Sequence, residues 1–98
     1  MAYNFSAEKR GRRALKAIHQ TLSHFDLFEF FPVEVNEERL TLGISIPFKS
    51  MNEPRFENEL EELMRYLILT QEFNVTDLFT GNPVVARNIS GLAKQISG

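Results

Sequence analysis

The two histidines are the first candidates for catalysis or metal binding, because imidazole is the side chain that titrates near neutral pH. His19 and His24 are five positions apart, so on a helix they lie on different sides and do not stack as an i,i+4 metal-binding pair would. Asp26 could contact His24, but nothing nearby offers a nucleophile for such a pair to activate. The chain contains no cysteine, which excludes thiolate metal sites and disulfides. We interpret both histidines as boundary residues and predict no metal site.

Carboxylates and one loop are the other candidates for chemistry. The glutamates of segment 53–70 alternate with apolar positions and would face solvent on a helix, whereas a catalytic carboxylate pair needs a cleft that perturbs its pKa values. The loop "TGNP" at 80–83 has one glycine before a predicted helix, but it lacks the lysine and glycine spacing of a phosphate-binding loop. We therefore predict a protein that is not an enzyme and that binds no cofactor.

Basic residues concentrate at the start of the chain. Segment 1–24 carries five basic residues against one acidic residue, a net charge of +4, although the whole chain has a net charge of −2. On a helix these residues form a basic face that could contact an anion, a nucleic acid or an acidic protein. The acidic remainder repels phosphates, so nucleic-acid binding is the alternative function, and a solvated face is the simplest explanation. The residues of the basic face are Lys9, Arg12, Arg13 and Lys16.

Hydrophobic periodicity predicts six elements in the order α-β-β-α-β-α. Helical spacing of apolar residues identifies the helices, and strict alternation in "LTLGISIPF" identifies the second strand of a hairpin. The predicted elements are a helix over 7–24 after an N-cap at Ser6, hairpin strands over 27–35 and 40–48, a helix over 53–70 after Asn52, a short strand through Phe73 and Val75, and a helix that begins at Pro83 after Asn82.

The register of the hairpin decides which aromatic side chains face the core. Closing the hairpin at the polar cluster "NEER" sets apolar residues opposite apolar residues along both strands. The expected pairs are Val35 with Leu40, Val33 with Leu42, Phe31 with Ile44, and Leu27 with Phe48. A slip of one residue would place Val35 opposite Thr41 and lose this match.

Two phenylalanines of the segment "FDLFEFFP" at 25–32 follow from that register as candidate contacts. Phe28 and Phe30 would point to the polar face of an edge strand, where they could bind a partner or be covered by the last helix or the N-terminal residues. Glu29 would then lie on the apolar face, either at the rim of the sheet or next to a bulge near Pro32. Because proline cannot donate to a strand ladder, this strand is predicted at the edge of the sheet.

The fold class predicted for residues 1–98 is a single, small, two-layer α+β domain. Its size and its 43% hydrophobic and 24% charged residues are typical of a globular protein. The sheet is expected to be three-stranded, hairpin-centred and mainly antiparallel, with its aliphatic face covered by the first two amphipathic helices. The third strand would lie beside the second and parallel to it, and the last helix would seal the opposite face or cap an end. No apolar run reaches the length of a membrane span, and the expected location is cytoplasmic.

These patterns favour a small non-enzymatic interaction protein, such as an adaptor, an inhibitor or a regulatory subunit. Its partner would be another protein or a second copy of the chain, with a nucleic acid as the alternative partner through the basic face. Exposed aromatic and arginine side chains are the usual centres of such contacts. The predicted partner-binding residues are Phe28, Phe30, Arg12 and Arg13, together with Tyr66 and Leu69, which lie off the apolar stripe of the second helix.

Overall fold

The computed structural model describes residues 1–98 and contains five strands and three helices. The strands are β1 (Ala2–Arg10), β2 (Glu29–Val35), β3 (Arg39–Pro47), β4 (Asn74–Asp77) and β5 (Pro83–Val84). The helices are α1 (Leu15–Leu22), α2 (Phe56–Arg65) and α3 (Leu92–Ser97), with 3₁₀ turns at Phe48–Asn52 and Ala86–Gly91 and a π-helical turn at Tyr66–Thr70. All strands belong to one antiparallel sheet in the order β2-β3-β1-β4-β5.

The N-terminal segment is a central strand, so the predicted helix over 7–24 is wrong in its first half. Tyr3, Phe5, Ala7 and Lys9 alternate along one face of β1 and point toward the core. β3 pairs along the whole of β1 and β4 pairs along Phe5–Glu8, so the middle of this strand has hydrogen-bonded neighbours on both sides. Ser6 is therefore a paired strand residue and caps no helix.

The connectivity interlocks two split β-α-β units. β1 and β2 run parallel through α1 with β3 between them, and β3 and β4 run parallel through α2 with β1 between them. The predicted parallel direction of the third strand is thus confirmed, but its predicted position beside the second strand is wrong because β1 intervenes. The sheet has five strands because the N-terminal segment supplies β1 and because Pro83–Val84 pairs with β4. Asn82 consequently precedes a strand, Pro83 is the first residue of that strand, and neither begins a helix.

The hairpin register is confirmed at its tip and wrong beyond it. Val35 lies opposite Leu40 as predicted, but the register shifts between Pro32 and Glu34. The predicted alternative of a bulge near Pro32 is therefore the observed arrangement. Beyond this bulge, Phe30 lies opposite Ile44, where Phe31 was expected.

The register shift exchanges the faces of the aromatic residues. Phe31 lies opposite Gly43 on the outer face of the sheet, and a Cβ at Gly43 would contact the side chains of Phe31 and Val33. Phe28 is 4% exposed in the core and its ring lies 6.3 Å from that of Phe56. The prediction that Phe28 and Phe30 face the polar side is wrong, because the extra residue of a bulge reverses the alternation.

All three helices pack on one face of the sheet. On β1 and β3 every buried residue lies on that face, and the alternate residues never reach full burial. The apolar stripe predicted for the second helix is confirmed, since Phe56, Leu60, Leu63, Met64 and Leu67 are all buried. Leu92 and Ala93 of α3 join the same cluster, so this helix lies beside α2, and the opposite face of the sheet carries no helix.

The second helix is shorter than predicted but keeps its charge pattern. α2 begins after Arg55, so Asn52 and Pro54 precede it and Asn52 does not cap it. The i,i+4 pair of Glu61 and Arg65 forms an ion pair of 2.9 Å, as its order predicts. None of the helices has the length and apolar composition that crossing a membrane requires.

Candidate functional site

The exposed apolar side chains of β2 form the first candidate surface, which we term the apolar edge. β2 pairs only with β3 and is an edge strand, as predicted. Phe31, Val33 and Val35 are 50%, 68% and 41% exposed. The bulge at Pro32–Glu34 directs Phe31 and Val33 to the outer face, whereas Val35 lies opposite the buried Leu40, on the face that carries the helices. The apolar edge consists of Phe31 and Val33, which adjoin over Gly43 on the outer face.

Unpaired carboxylates surround the apolar edge. None of the four glutamates of the hairpin forms an ion pair, and Glu34 only accepts a hydrogen bond of 3.1 Å from the amide of Asn36. Arg39, the one cation of the hairpin, is bound to Glu8 at 2.9 Å. These glutamates therefore form no ion pair, although Arg10 and Arg39 line the same open groove as Glu34, Glu37 and Glu38. Its glutamates are Glu29, Glu34, Glu37 and Glu38.

The tip of the hairpin is held in one conformation by Asn36. Its side-chain oxygen accepts hydrogen bonds from the backbone N–H groups of Glu38 and Arg39 at 2.8 and 2.9 Å. Its own backbone N–H donates to the carbonyl of Arg39 at 3.1 Å. An asparagine that closes a turn in this way reduces the conformational entropy that a partner would have to remove on binding.

A second apolar surface, the aromatic groove, lies at the opposite end of the strands. It is an open groove of about 460 Å³ whose apolar wall includes Tyr3, Phe48, Phe79 and Ile96. Phe79 is 82% exposed, and its ring lies 5.8 Å from that of Tyr3. The sequence analysis did not identify this surface. The segment "DLF" at 77–79 lies at the end of β4 and before β5, and these strands are too short for hydrophobic alternation to show where they begin and end.

Asp77 organises the turn that carries Phe79. Its carboxylate accepts hydrogen bonds from the backbone N–H groups of Phe79 and Thr80 at 2.8 and 3.1 Å and from the hydroxyl of Tyr3 at 2.7 Å. Burial, and next the hydrogen bond to Asp77, raise the pKa of Tyr3 from its ordinary value of 10.0 to about 12. The neutral tyrosine is therefore part of the structure at physiological pH.

Lys9 lies at a third candidate surface, which we term the basic cavity. Its side chain is only 8% exposed, and Nζ donates to the carbonyl of Arg13 at 3.0 Å and to Oε1 of Gln71 at 3.2 Å. The ammonium lies 5.1 Å from the ring centroid of Phe73. Burial lowers the pKa of Lys9, and Arg13 adds to this effect, whereas Glu72 opposes it. The cavity has a volume of about 450 Å³ and is lined by Lys9, Arg10, Arg13, Gln71, Glu72 and Asn74.

The predicted basic face does not exist as a helix face. Lys9 belongs to β1, Arg12 and Arg13 lie in the loop before α1, and Lys16 alone lies on the helix. Arg12, Arg13 and Lys16 are exposed. Lys9 and Arg13 both line the basic cavity, although the sequence analysis had grouped them as neighbours on a helix face. Arg12 and Lys16 lie outside the lining of the cavity.

The predicted partner-binding residues are dispersed in the structure. Phe28 is buried and Phe30 packs against the core cluster, so neither offers an open surface. Tyr66 is half-buried, and its hydroxyl accepts a hydrogen bond of 3.1 Å from Nε2 of Gln71. Leu69 is 54% exposed.

The histidines are exposed on α1 and just after it. No group of three histidine, aspartate or glutamate side chains lies close enough to hold a metal ion.

The sequence analysis missed Phe31 and Val33 as exposed residues. It placed both opposite core residues of the second strand, and the one-residue shift at the bulge turns them to the outer face. The proline itself was the available signal for that shift.

The chain matches no protein-family model. Comparison with curated proteins finds no match, and comparison with solved structures finds none either.

Proposed function

We propose that the protein is a non-enzymatic docking module whose apolar edge binds an extended, lysine- or arginine-bearing segment of another protein. An adaptor, an inhibitor and a regulatory subunit all work in this way. The observation that carries the proposal is the combination of two adjoining exposed apolar side chains, Phe31 and Val33, with four glutamates that form no ion pair on the same hairpin. A cytoplasmic location remains part of the proposal.

The apolar edge offers the free energy for such an interaction. Full burial of a valine or phenylalanine side chain contributes roughly 1.5–3 kcal/mol. Phe31 and Val33 leave half or more of their surface in water, so a partner that covers them recovers a few kcal/mol. Exposed apolar side chains that adjoin one another mark interaction sites more often than scattered ones do.

The surrounding charge selects the partner. Glu29 and Glu34 flank Phe31 and Val33 on the same strand, and neither forms an ion pair. A lysine- or arginine-bearing segment gains from this arrangement, and a nucleic acid is repelled by it. A second copy of the chain docked edge to edge would bring glutamates against glutamates, so self-association is the less favoured alternative.

The backbone of β2 limits how the partner binds. Pro32 has no N–H group to donate, and the bulge interrupts the regular spacing of the strand. A partner strand could therefore extend the sheet over only a short stretch. We expect side-chain recognition of Phe31 and Val33, with backbone pairing as a minor contribution.

Selection of binders from a random library of extended peptides tests this proposal. We expect enriched peptides to combine apolar residues with lysine or arginine, and their binding to be lost in the double variant Phe31→Ser, Val33→Ser. The double variant Leu78→Ser, Phe79→Ser is the matched control, because it removes similarly exposed apolar side chains from the aromatic groove. Binding should survive in this control.

Three outcomes would contradict the proposal. They are enrichment of acidic peptides, equal loss of binding in both double variants, and the absence of any enriched peptide. Light scattering of the unmodified protein tests the remaining alternative, which is self-association. A dimer that dissociates in the Phe31→Ser, Val33→Ser variant would show that the apolar edge binds a second copy.

A further inference from the structure

We infer that the basic cavity binds the phosphate group of a small phosphorylated ligand. The cavity lies between the loop that joins β1 to α1 and the connection that leads into β4. It is separate from the apolar edge, so this inference does not depend on the proposed docking function. Its volume of about 450 Å³ is within the range of roughly 300–1,000 Å³ that small-molecule sites occupy.

The lining of the cavity has an excess of positive charge. Lys9, Arg10 and Arg13 face one acidic residue, Glu72. Neither arginine forms an ion pair with a carboxylate. A phosphate monoester carries a charge of about −1.5 to −2 near pH 7, which balances this lining better than a single carboxylate would. Guanidinium groups bind phosphate oxygens in pairs, and an ammonium acts as a point charge beside them.

Lys9 supplies the strongest local reason for an anion. Both of its hydrogen-bond acceptors, the carbonyl of Arg13 and Oε1 of Gln71, are neutral. An ammonium can donate three hydrogen bonds, so one donor has no protein acceptor. The charge of Glu72 acts favourably on Lys9, but Glu72 accepts none of its hydrogen bonds. Because a buried cation is costly unless it is paired and hydrogen-bonded, a bound anion would provide the missing acceptor and additional negative charge.

The walls of the cavity are already in place. Lys9 ties the loop before α1 to Gln71, whose Nε2 donates to the hydroxyl of Tyr66 at 3.1 Å. Such a network fixes the positions of the polar groups before a ligand arrives, and preorganised sites lose less entropy on binding.

A small ligand fits the site better than a nucleic acid does. The site is concave and is bordered by Glu72, while Arg12 and Lys16 lie outside its lining. A nucleic-acid strand would have to pass an acidic body whose charge outside segment 1–24 is −6. A single phosphate group entering the cavity meets the cations without that repulsion.

Titration of the ¹⁵N-labelled protein with inorganic pyrophosphate, followed by NMR at low ionic strength, tests the inference. We expect saturable shifts of the backbone amides of Gln71, Glu72 and Asn74. The exposed variant Arg13→Gln should weaken binding about tenfold, the amount expected for one charge-assisted hydrogen bond. Arg12→Gln removes the same charge from the same loop without touching the cavity, and it should change affinity by less than about twofold.

Several results would overturn the inference. Shifts that do not saturate, or that are centred on Arg12 and Lys16, would show that the cations only attract anions without a defined site. Equal weakening by Arg12→Gln and Arg13→Gln would show the same. Tighter binding of a single-stranded oligonucleotide than of pyrophosphate, with a loss in Arg12→Gln, would assign the basic loop to nucleic acid instead.

Discussion

The hydroxyl of Tyr3 donates a hydrogen bond of 2.7 Å to Oδ2 of Asp77 and so joins two residues that are 74 positions apart in the chain. The other oxygen of this carboxylate accepts from the N–H groups of Phe79 and Thr80. One contact between β1 and β4 thereby supports the turn that exposes Phe79. The stability of the sheet and the shape of the aromatic groove are coupled through Asp77.

Removal of the Tyr3 hydroxyl should destabilise the protein. In Tyr3→Phe, the buried carboxylate of Asp77 loses one donor, which we expect to lower the free energy of unfolding by about 1.5–3 kcal/mol. Tyr66→Phe is the matched control, since its hydroxyl only accepts from the neutral amide of Gln71 and its loss should cost about 0.5–1.5 kcal/mol. Urea unfolding at pH 7 measures both. Equal losses would contradict the role of Asp77.

The same contact makes stability sensitive to alkaline pH. The pKa of Tyr3 is about 12 in the folded protein against 10.0 ordinarily, so the unfolded chain loses this proton first. The contribution of Tyr3 is fully present below pH 10 and is lost as the pH rises toward 12.

Absorbance of tyrosinate provides the measurement. The chain has two tyrosines, so the Tyr66→Phe variant reports on Tyr3 alone. We expect an apparent pKa near 12 while circular dichroism shows that the fold persists. A transition near pH 10 in folded protein would contradict the buried hydrogen bond.

Glycine at position 14 should be tolerated or stabilising. Ala14 precedes α1 with a φ of 65°, a left-handed conformation that costs a residue with a Cβ roughly 1–2 kcal/mol. Ala14→Gly removes this strain and loses roughly 0.5–1 kcal/mol of chain entropy, so the net gain is about 0–1.5 kcal/mol. Ala17→Gly, inside α1 and also exposed, should cost about 1 kcal/mol. Thermal unfolding distinguishes them, and a clear loss in Ala14→Gly would contradict the observed backbone.

Truncation of Phe28 and of Phe31, in separate variants, tests whether the bulge sets which ring lies in the core. Phe28→Ala leaves a cavity in the core and should cost about 3–5 kcal/mol. Phe31→Ala removes a ring that is 50% exposed and should cost about 1 kcal/mol. Chemical denaturation of the two variants provides the comparison. A larger loss of stability in Phe31→Ala than in Phe28→Ala would contradict the bulge and support the regular register.

Local hydrophobic periodicity was sufficient to predict the elements whose sequence fits only one type of secondary structure. The apolar stripe of α2 and the alternation of β3 each match a single period, so Leu60 and Ile44 are core residues as the pattern indicates. The pairing of Val35 with Leu40 also followed from the sequence, since the polar tip leaves only one apolar match.

The tertiary structure decided the elements that local pattern left ambiguous. Residues 7–10 are compatible with a helix or a strand, and the place of β1 between β3 and β4 selects the strand, because Phe5–Glu8 then pairs on both sides and the rest of β1 pairs with β3. The choice between Phe30 and Phe31 as the core ring depended on one extra residue at the bulge. The burial of Lys9 likewise needs a partner, Gln71, from a distant segment. Spacing along the chain specifies which side chains share a face, but only the packing of distant segments determines which face is covered.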